Sequence, residues 1–169
     1  APMPIEVISR ALDVLPNVQF INAFGQTETA ATITALSPED HHIPAGLPEA
    51  ERAKRLHRLS SVGKPLDDVE MRVVDEDGKD CAPGETGEIV ARGPRIMAGY
   101  WKDEEKTKAT KRGGWIYTGD LGYKDEDGYY FLNGRASDMI IRGGENIAPE
   151  EVERVLATHA AIDECAVFG

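Results

Sequence analysis

The chain has 169 residues, 41% hydrophobic and 29% charged, with 30 acidic against 19 basic side chains and a net charge of −11. That balance describes a soluble globular protein and argues against a nucleic-acid-binding role, since no basic patch dominates any segment. No apolar run approaches a membrane span, no charged-then-apolar leader is present, and Cys81 and Cys165 read as free thiols of a reducing compartment, pointing to the cytoplasm.

Pro4 to Leu15 is predicted to be a helix, with proline in its first turn and Ile5, Ile8, Leu12 and Leu15 along one stripe. Val18 to Phe24 reads as a short apolar strand ending at Gly25. Gln26-Thr27-Glu28 then falls in a loop at a strand end, where polar groups can face a ligand while the strand holds them. Thr27 and Glu28 could equally cap a helix starting near Thr29. Ser37 to Ser60 reads as a long connection with a short helix near Glu49–Leu59. Within it His41 and His42 lack a Cys or third His at ligand spacing, so a solvated loop is expected rather than a metal site.

Val69, Met71 and Val73 alternate with polar residues as in a half-buried strand. Asp75-Glu76-Asp77-Gly78 recurs letter for letter at Asp125 to Gly128, and without the further carboxylates of a calcium loop both copies read as turns. Glu88 to Ala91 is a predicted strand. Asp103 to Arg112 reads as a solvated surface helix, with Asp103 as N-cap and Glu104 paired to Lys108. Tyr117-Thr118-Gly119-Asp120 is expected to end a strand in a tight turn that exposes a carboxylate. The stretch Gly134 to Glu153 reads as a turn with Arg135 and Asp138, a strand at Met139-Ile140-Ile141, a Gly143-Gly144 loop, and a helix opened by Pro149. Cys165 to Gly169 resembles a strand just entered, which suggests a fragment of a longer protein.

Four blocks in order, Phe24-Gly25-Gln26-Thr27-Glu28, Gly87-Glu88-Ile89 with Met97-Ala98-Gly99-Tyr100-Trp101, Tyr117-Thr118-Gly119-Asp120 and Gly134 to Glu153, resemble the adenylate-forming (AMP-binding) superfamily. This group comprises acyl-CoA synthetases, peptide-synthetase adenylation domains and firefly-type luciferases, and the resemblance runs from Pro2 to Gly169. It implies two half-reactions. A carboxylate attacks the α-phosphorus of ATP to give an acyl-adenylate and pyrophosphate, and a thiol, commonly that of CoA, then displaces AMP. It also implies roles for residues of this chain: Asn22, Ala23, Phe24, Gly25 and Thr27 at the nucleotide, with the Phe24 ring on adenine and the Thr27 hydroxyl on phosphate. Glu28 is directed to Mg²⁺, Asp120 to the ribose hydroxyls, Arg135 to ribose or phosphate, and Leu132 lies against the adenosine. Gly143 and Gly144 would line the pantetheine tunnel, and Ser137 takes the hinge position.

The stretch Met139 to Ile147 is most similar to that of medium- or long-chain and aromatic acyl-CoA ligases, a resemblance that implies fatty-acid or aromatic-acid activation. An adenylation domain loading a carrier protein and a non-catalytic nucleotide-binding module are the alternatives. The partners implied are a small carboxylic acid, ATP, Mg²⁺ and CoA. Ser137 departs from the usual Asp or Lys, and the family's phosphate loop and distal lysine are absent from these residues. The isolated chain is therefore expected to be inactive. The fold expected is α+β: an antiparallel, barrel-like β subdomain with flanking helices closes a large N-terminal domain over residues 1–134. The start of a small α+β C-terminal domain follows over 135–169.

Overall fold

The computed structural model describes residues 5–143, 145–159 and 161–169. Pro4 and Gly144 lie outside the described residues. Among the described residues, three β-sheets and five α-helices make up the α+β fold. A three-stranded antiparallel sheet of β1 (Asn22–Phe24), β2 (Thr34–Leu36) and β3 (Lys64–Pro65) follows helix α1 (Ile5–Val14). Only Ile8 of the predicted α1 stripe is fully buried, and the predicted Val18–Phe24 strand shortens to β1 because Val18 and Ile21 face solvent.

The connection after β2 holds two helices, α2 (Pro38–His41) and α3 (Glu49–Arg58). Helix α2 was not anticipated, yet its start signal is present. The Ser37 hydroxyl accepts from Asp40 N–H at 3.3 Å and Asp40 Oδ2 accepts from Ser37 N–H at 3.2 Å, a reciprocal cap with Pro38 at the first helical position. His41 is consequently not in a solvated loop: it is 4% exposed, with Nδ1 2.7 Å from the Ser37 carbonyl. Among the described residues no His, Cys and carboxylate cluster could hold a metal.

The larger sheet is antiparallel and curled. Strands β4 (Glu70–Val74) and β5 (Gly87–Arg92) pair in register from Glu70↔Arg92 to Val74↔Glu88, and β5 pairs with the long β7 (Trp115–Lys124). The other edge of β7 is shared end to end by β6 (Lys111–Arg112) and β8 (Tyr130–Arg135). Register shifts between Glu88 and Val90 on β5 and between Leu121 and Gly122 on β7 bend the sheet, as bulges do. Its core buries Met71, Val73, Ile89, Ala91, Ile116 and Tyr130 together with Ile33 and Val62, which lie just before β2 and β3 of the smaller sheet. The Tyr130 hydroxyl donates to the Met71 carbonyl at 2.9 Å, which removes the cost of burying it. The backbone of Tyr130 bonds Val62 and Gly63, joining the two sheets.

Both Asp-Glu-Asp-Gly segments form the same turn. Asp75 Oδ1 accepts from Asp77 and Lys79 N–H, Asp125 Oδ1 accepts from Tyr129 N–H, and Gly78 and Gly128 have φ of 78° and 84°. Helix α4 (Glu104–Thr110) has the expected cap, Lys106 N–H donating to Asp103 Oδ1 at 2.9 Å, and the Glu104–Lys108 pair at 3.5 Å. It stops before Lys111 and Arg112, which turn into β6.

After a 3₁₀ turn at Ala136–Asp138, β9 (Ile140–Arg142) and β10 (Glu145–Ile147) form a hairpin, followed by α5 (Pro149–Leu156). Gly143 thus follows a strand that pairs with a second strand, where a connection to a helix had been expected. The terminal run Cys165–Gly169 is not a strand: Val167 N–H donates to Glu153 Oε1 at 2.8 Å, so the segment is tied to α5 by a side chain. Among the described residues no helix is long and apolar enough to cross a membrane, and both cysteines are free.

Candidate active site

The residues from Thr118 to Asp120 do not end β7. They form an irregular segment inside it, where Glu88↔Leu121 gives way to Val90↔Tyr117 and Gly119 takes φ 74°. Local hydrogen bonds hold the segment in shape. The Thr118 hydroxyl donates to the Ile89 carbonyl at 2.7 Å and accepts from Asp120 N–H at 3.1 Å, and Gly119 N–H donates to Glu88 Oε1 at 3.0 Å. The Asp120 carboxylate is therefore not exposed on a turn: the residue is 8% exposed. Arg135, its register partner across β8, approaches with Nε 3.2 Å from Asp120 Oδ1.

An open cleft of about 410 Å³ lies beside this segment, bounded by Glu88, Thr118, Gly119 and Arg135 on the sheet and by Gln26 and Glu28 from the turn after β1. Helix α4, through Lys106, Ala109 and Thr110, and Tyr100 from the segment that precedes it close the far wall. That helix is a wall of the cleft and not merely a solvated surface element.

Glu28 sits in a 3₁₀ turn at Thr27–Thr29, a single turn that does not go on as a helix. The turn is closed by Gln26 N–H donating to Thr29 Oγ1 at 2.9 Å and by Thr29 donating back to the Gln26 carbonyl at 3.0 Å. Tyr100 O–H donates to Glu28 Oε1 at 2.8 Å. That bond is the main reason the Glu28 carboxyl lies below its ordinary range, with the Lys106 and Arg135 charges adding to it. Burial first, then the same bond, pushes the Tyr100 phenol up. A protonated phenol therefore donates to an ionised carboxylate, a charge-assisted bond.

Of the residues singled out in the sequence, the cleft gathers Glu28 and Arg135, with Asp120 paired to Arg135. Phe24 and Leu132 are half-buried against the main core. Asn22 Nδ2 donates to the Ser61 carbonyl at 3.0 Å, Ala23 and Thr27 are exposed, and a Cβ on Gly25 would stand 2.2 Å from the Ala31 carbonyl oxygen. Ser137 is exposed and donates to Asp138 Oδ1 at 2.8 Å. Gly143, at φ 64° in the hairpin, has nothing within 4 Å of a Cβ, so backbone conformation and not crowding within this chain requires glycine there. Gly144 lies outside the described residues.

Among the residues of the site that had no role in the sequence reading are Glu88, Tyr100, Lys106 and Thr118. Glu88, Tyr100 and Thr118 lie inside the motif blocks, so a signal existed without a function attached to it. Lys106 carried none, because its position over the Tyr100 ring, 4.2 Å from the centroid, arises only on folding.

The profile of the family described as AMP-binding enzyme matches residues 1–101. The chain belongs to that family. The resemblance read from the motif blocks is thereby borne out at family level. Among its AMP-binding relatives is the 2-succinylbenzoate–CoA ligase of Geobacillus kaustophilus, 45% identical over 146 residues, which cover 86% of this chain and 27% of that protein. The o-succinylbenzoate CoA synthetase of Bacillus subtilis, solved with its acyl-adenylate intermediate, superposes with a TM-score of 0.84 at 37% identity. That match covers 100% of this chain and 31% of the other, and the same enzyme has been solved with ATP and magnesium ion. An amide bond synthetase from Marinactinospora thermotolerans gives a TM-score of 0.84 at 36% identity, over 100% of this chain and 32% of that one. The chain spans about a third of the length of the relatives it matches.

The family resemblance implies Mg²⁺ at Glu28. One ionised carboxylate, with no cluster of further ligands among the described residues, does not make a protein cage. It does fit Mg²⁺, which keeps several waters and is usually held by one or two carboxylates plus substrate phosphates.

Proposed function

We propose that the whole protein is an ATP-dependent acid–thiol ligase of the AMP-forming kind, making an acyl-adenylate and transferring the acyl group to CoA. This chain would supply the ribose-facing and metal-facing part of the site. The observation that carries the proposal is the convergence on one cleft of Arg135, which pairs with the buried Asp120 behind it, and of the Glu28–Tyr100 pair. In this reading the Asp120 carboxylate accepts from the two ribose hydroxyls, while Arg135 donates to ribose or phosphate. Phe24 and Leu132 border the adenine, and Asn22, Ala23, Gly25 and Thr27 belong to the strand and turn that face the nucleotide. Mg²⁺, held by Glu28 together with phosphate oxygens, would supply neutralisation of the charge that builds up during displacement at the α-phosphorus.

We further assign residues 1–134 to the end of a large nucleotide-binding domain and 135–169 to the start of a smaller one, with Ser137 at the hinge. Gly143 and Gly144 would then face the pantetheine arm of CoA. A cytoplasmic location accords with the free cysteines. The relatives named for 2-succinylbenzoate favour an aryl carboxylic acid, with a fatty acid as the competing substrate class. Similarity to an amide bond synthetase keeps a second acceptor class in view, in which an amine or a carrier thiol takes the place of CoA.

The test is pyrophosphate release by the full-length protein with ATP, Mg²⁺ and a panel of aryl and fatty acids, with and without CoA. Release driven by one acid class, with acyl-CoA formed when CoA is added, is the expected result. Adenylate without thioester would transfer the reading to another acceptor. Failure of every acid would sink it in favour of a non-catalytic nucleotide-binding module. The isolated chain is expected to release no pyrophosphate.

A further inference from the structure

Glu28 is gripped by a segment distant in sequence. Met97 N–H donates to the Glu28 carbonyl at 2.9 Å, and Tyr100 O–H donates to its carboxylate Oε1 at 2.8 Å. One short stretch therefore fixes both the backbone and the side chain of a single residue. That stretch is itself anchored. Tyr100 N–H donates to Thr107 Oγ1 at 2.9 Å, the Thr107 hydroxyl donates to the Asp103 carbonyl at 2.7 Å, and Lys111 Nζ donates to the Met97 carbonyl at 2.8 Å. A Cβ on Gly99 would meet Thr107 Cγ2 at 2.8 Å, so the threonine reaches Tyr100 because position 99 has no side chain. The Lys106 ammonium, 4.2 Å from the centroid, holds the ring from one face.

We infer that Tyr100 is the positioning residue for Glu28, its hydroxyl setting the one orientation in which that carboxylate meets a divalent cation and the phosphates of a nucleotide. The inference rests on the metal-facing role proposed for Glu28 above. A glutamate side chain rotates freely about several bonds, and its carboxylate offers roughly four lone-pair sites. A donor fixed on Oε1 occupies one of these sites and stops the rotation before the cation arrives, so less freedom is lost on binding. Space-filling beside α4 would need the ring of Tyr100 but not its hydroxyl.

Tyr100→Phe in the full-length protein removes that hydroxyl and keeps the ring, the Lys106 contact and the backbone bond to Thr107. The probe is Mn²⁺, with the paramagnetic resonance signal of the free ion titrated against protein in the presence of ATP. The expected result is Mn²⁺ binding about tenfold weaker than wild type, with an unchanged unfolding temperature. The Mg²⁺ concentration for half-maximal pyrophosphate release should rise by a similar factor while the KM for the carboxylic acid stays put. Wild-type Mn²⁺ affinity in Tyr100→Phe, alongside weakened affinity in Glu28→Gln, would overturn the positioning role and leave the proposed function standing. Wild-type affinity in both variants would instead remove Glu28 from the metal, and the inference with it.

Discussion

The curled sheet and the C-terminal hairpin and helix are held in different ways. In the sheet, Ile89 and Ile116 are fully buried, and Asp120 and Arg135 are register partners across β7 and β8. From β9 onward, Ile141 is 74% exposed, Val155 64% and Phe168 86%. That region is held by the β9–β10 pairing and by polar ties such as Val167 N–H to Glu153 Oε1. Burial therefore places the sheet's site residues before any ligand arrives. Gly143, by contrast, lies two residues after the exposed Ile141 and has nothing within 4 Å of a Cβ, so packing inside this chain does not define what it faces.

The strongest test of that contrast is Ile89→Ala. Deleting a fully buried side chain at the centre of the sheet should cost about 3–4 kcal/mol in a denaturant titration, from lost transfer energy and the cavity left behind. Next comes a functional pair in the full-length protein. Asp120→Ala should lower pyrophosphate release by about a hundredfold or more, since two hydrogen bonds to a charged acceptor disappear. Gly143→Ala should leave pyrophosphate release alone and slow thioester formation, because its strain at φ 64° falls on the acceptor side. Equal losses in both steps for both variants would erase the distinction between the two regions.

A smaller effect should appear at high pH, and it belongs to the sheet. Tyr129 donates to Asp40 Oδ1 at 2.6 Å, and burial followed by that bond pushes its phenol up to about 12; burial pushes Tyr130 to about 12 as well. Both folded values lie above the ordinary 10.0, so the native state keeps protons that the unfolded chain releases. The contribution is complete below pH 10 and is lost as pH rises toward about 12. Urea unfolding at pH 9 and pH 11 should reveal the loss, on the order of 1 kcal/mol per group per pH unit, and Tyr129→Phe should remove about half of it. Smallest of all, Val155→Ser or Phe168→Ser should change the stability of this chain by no more than about 0.5 kcal/mol. A clearly larger cost in the full-length protein would mean that this face is covered there.

Much of the fold was legible because its signals are short-range. Helix α3 begins where it was predicted, Asp103 caps α4, and the repeated Asp-Glu-Asp-Gly turns form twice with the same aspartate geometry. The reciprocal cap of Ser37 and Asp40 was equally readable and was passed over, at the expense of α2 and of the buried His41. Other errors have a different origin. Tyr117 to Asp120 looks like a turn because of its glycine, but β5 and β8 pair on both sides of it and keep it inside a strand. Cys165 to Gly169 has the composition of a strand but no partner strand among the described residues, so its backbone is tied to Glu153 instead.

The sequence by itself determined the family, the positions of the motif blocks, the caps and the turns. Each of these depends on residue types and on neighbours a few positions away, where hydrogen-bond geometry follows from spacing alone. Only the tertiary structure decided that Asp120 is buried against Arg135, that α4 walls the cleft, and that Tyr100 holds a carboxylate 72 residues away. Those contacts depend on strand register and on the direction in which separate elements pack. Neither is encoded in any one segment, since both are set by the shared core that all of the segments bury together.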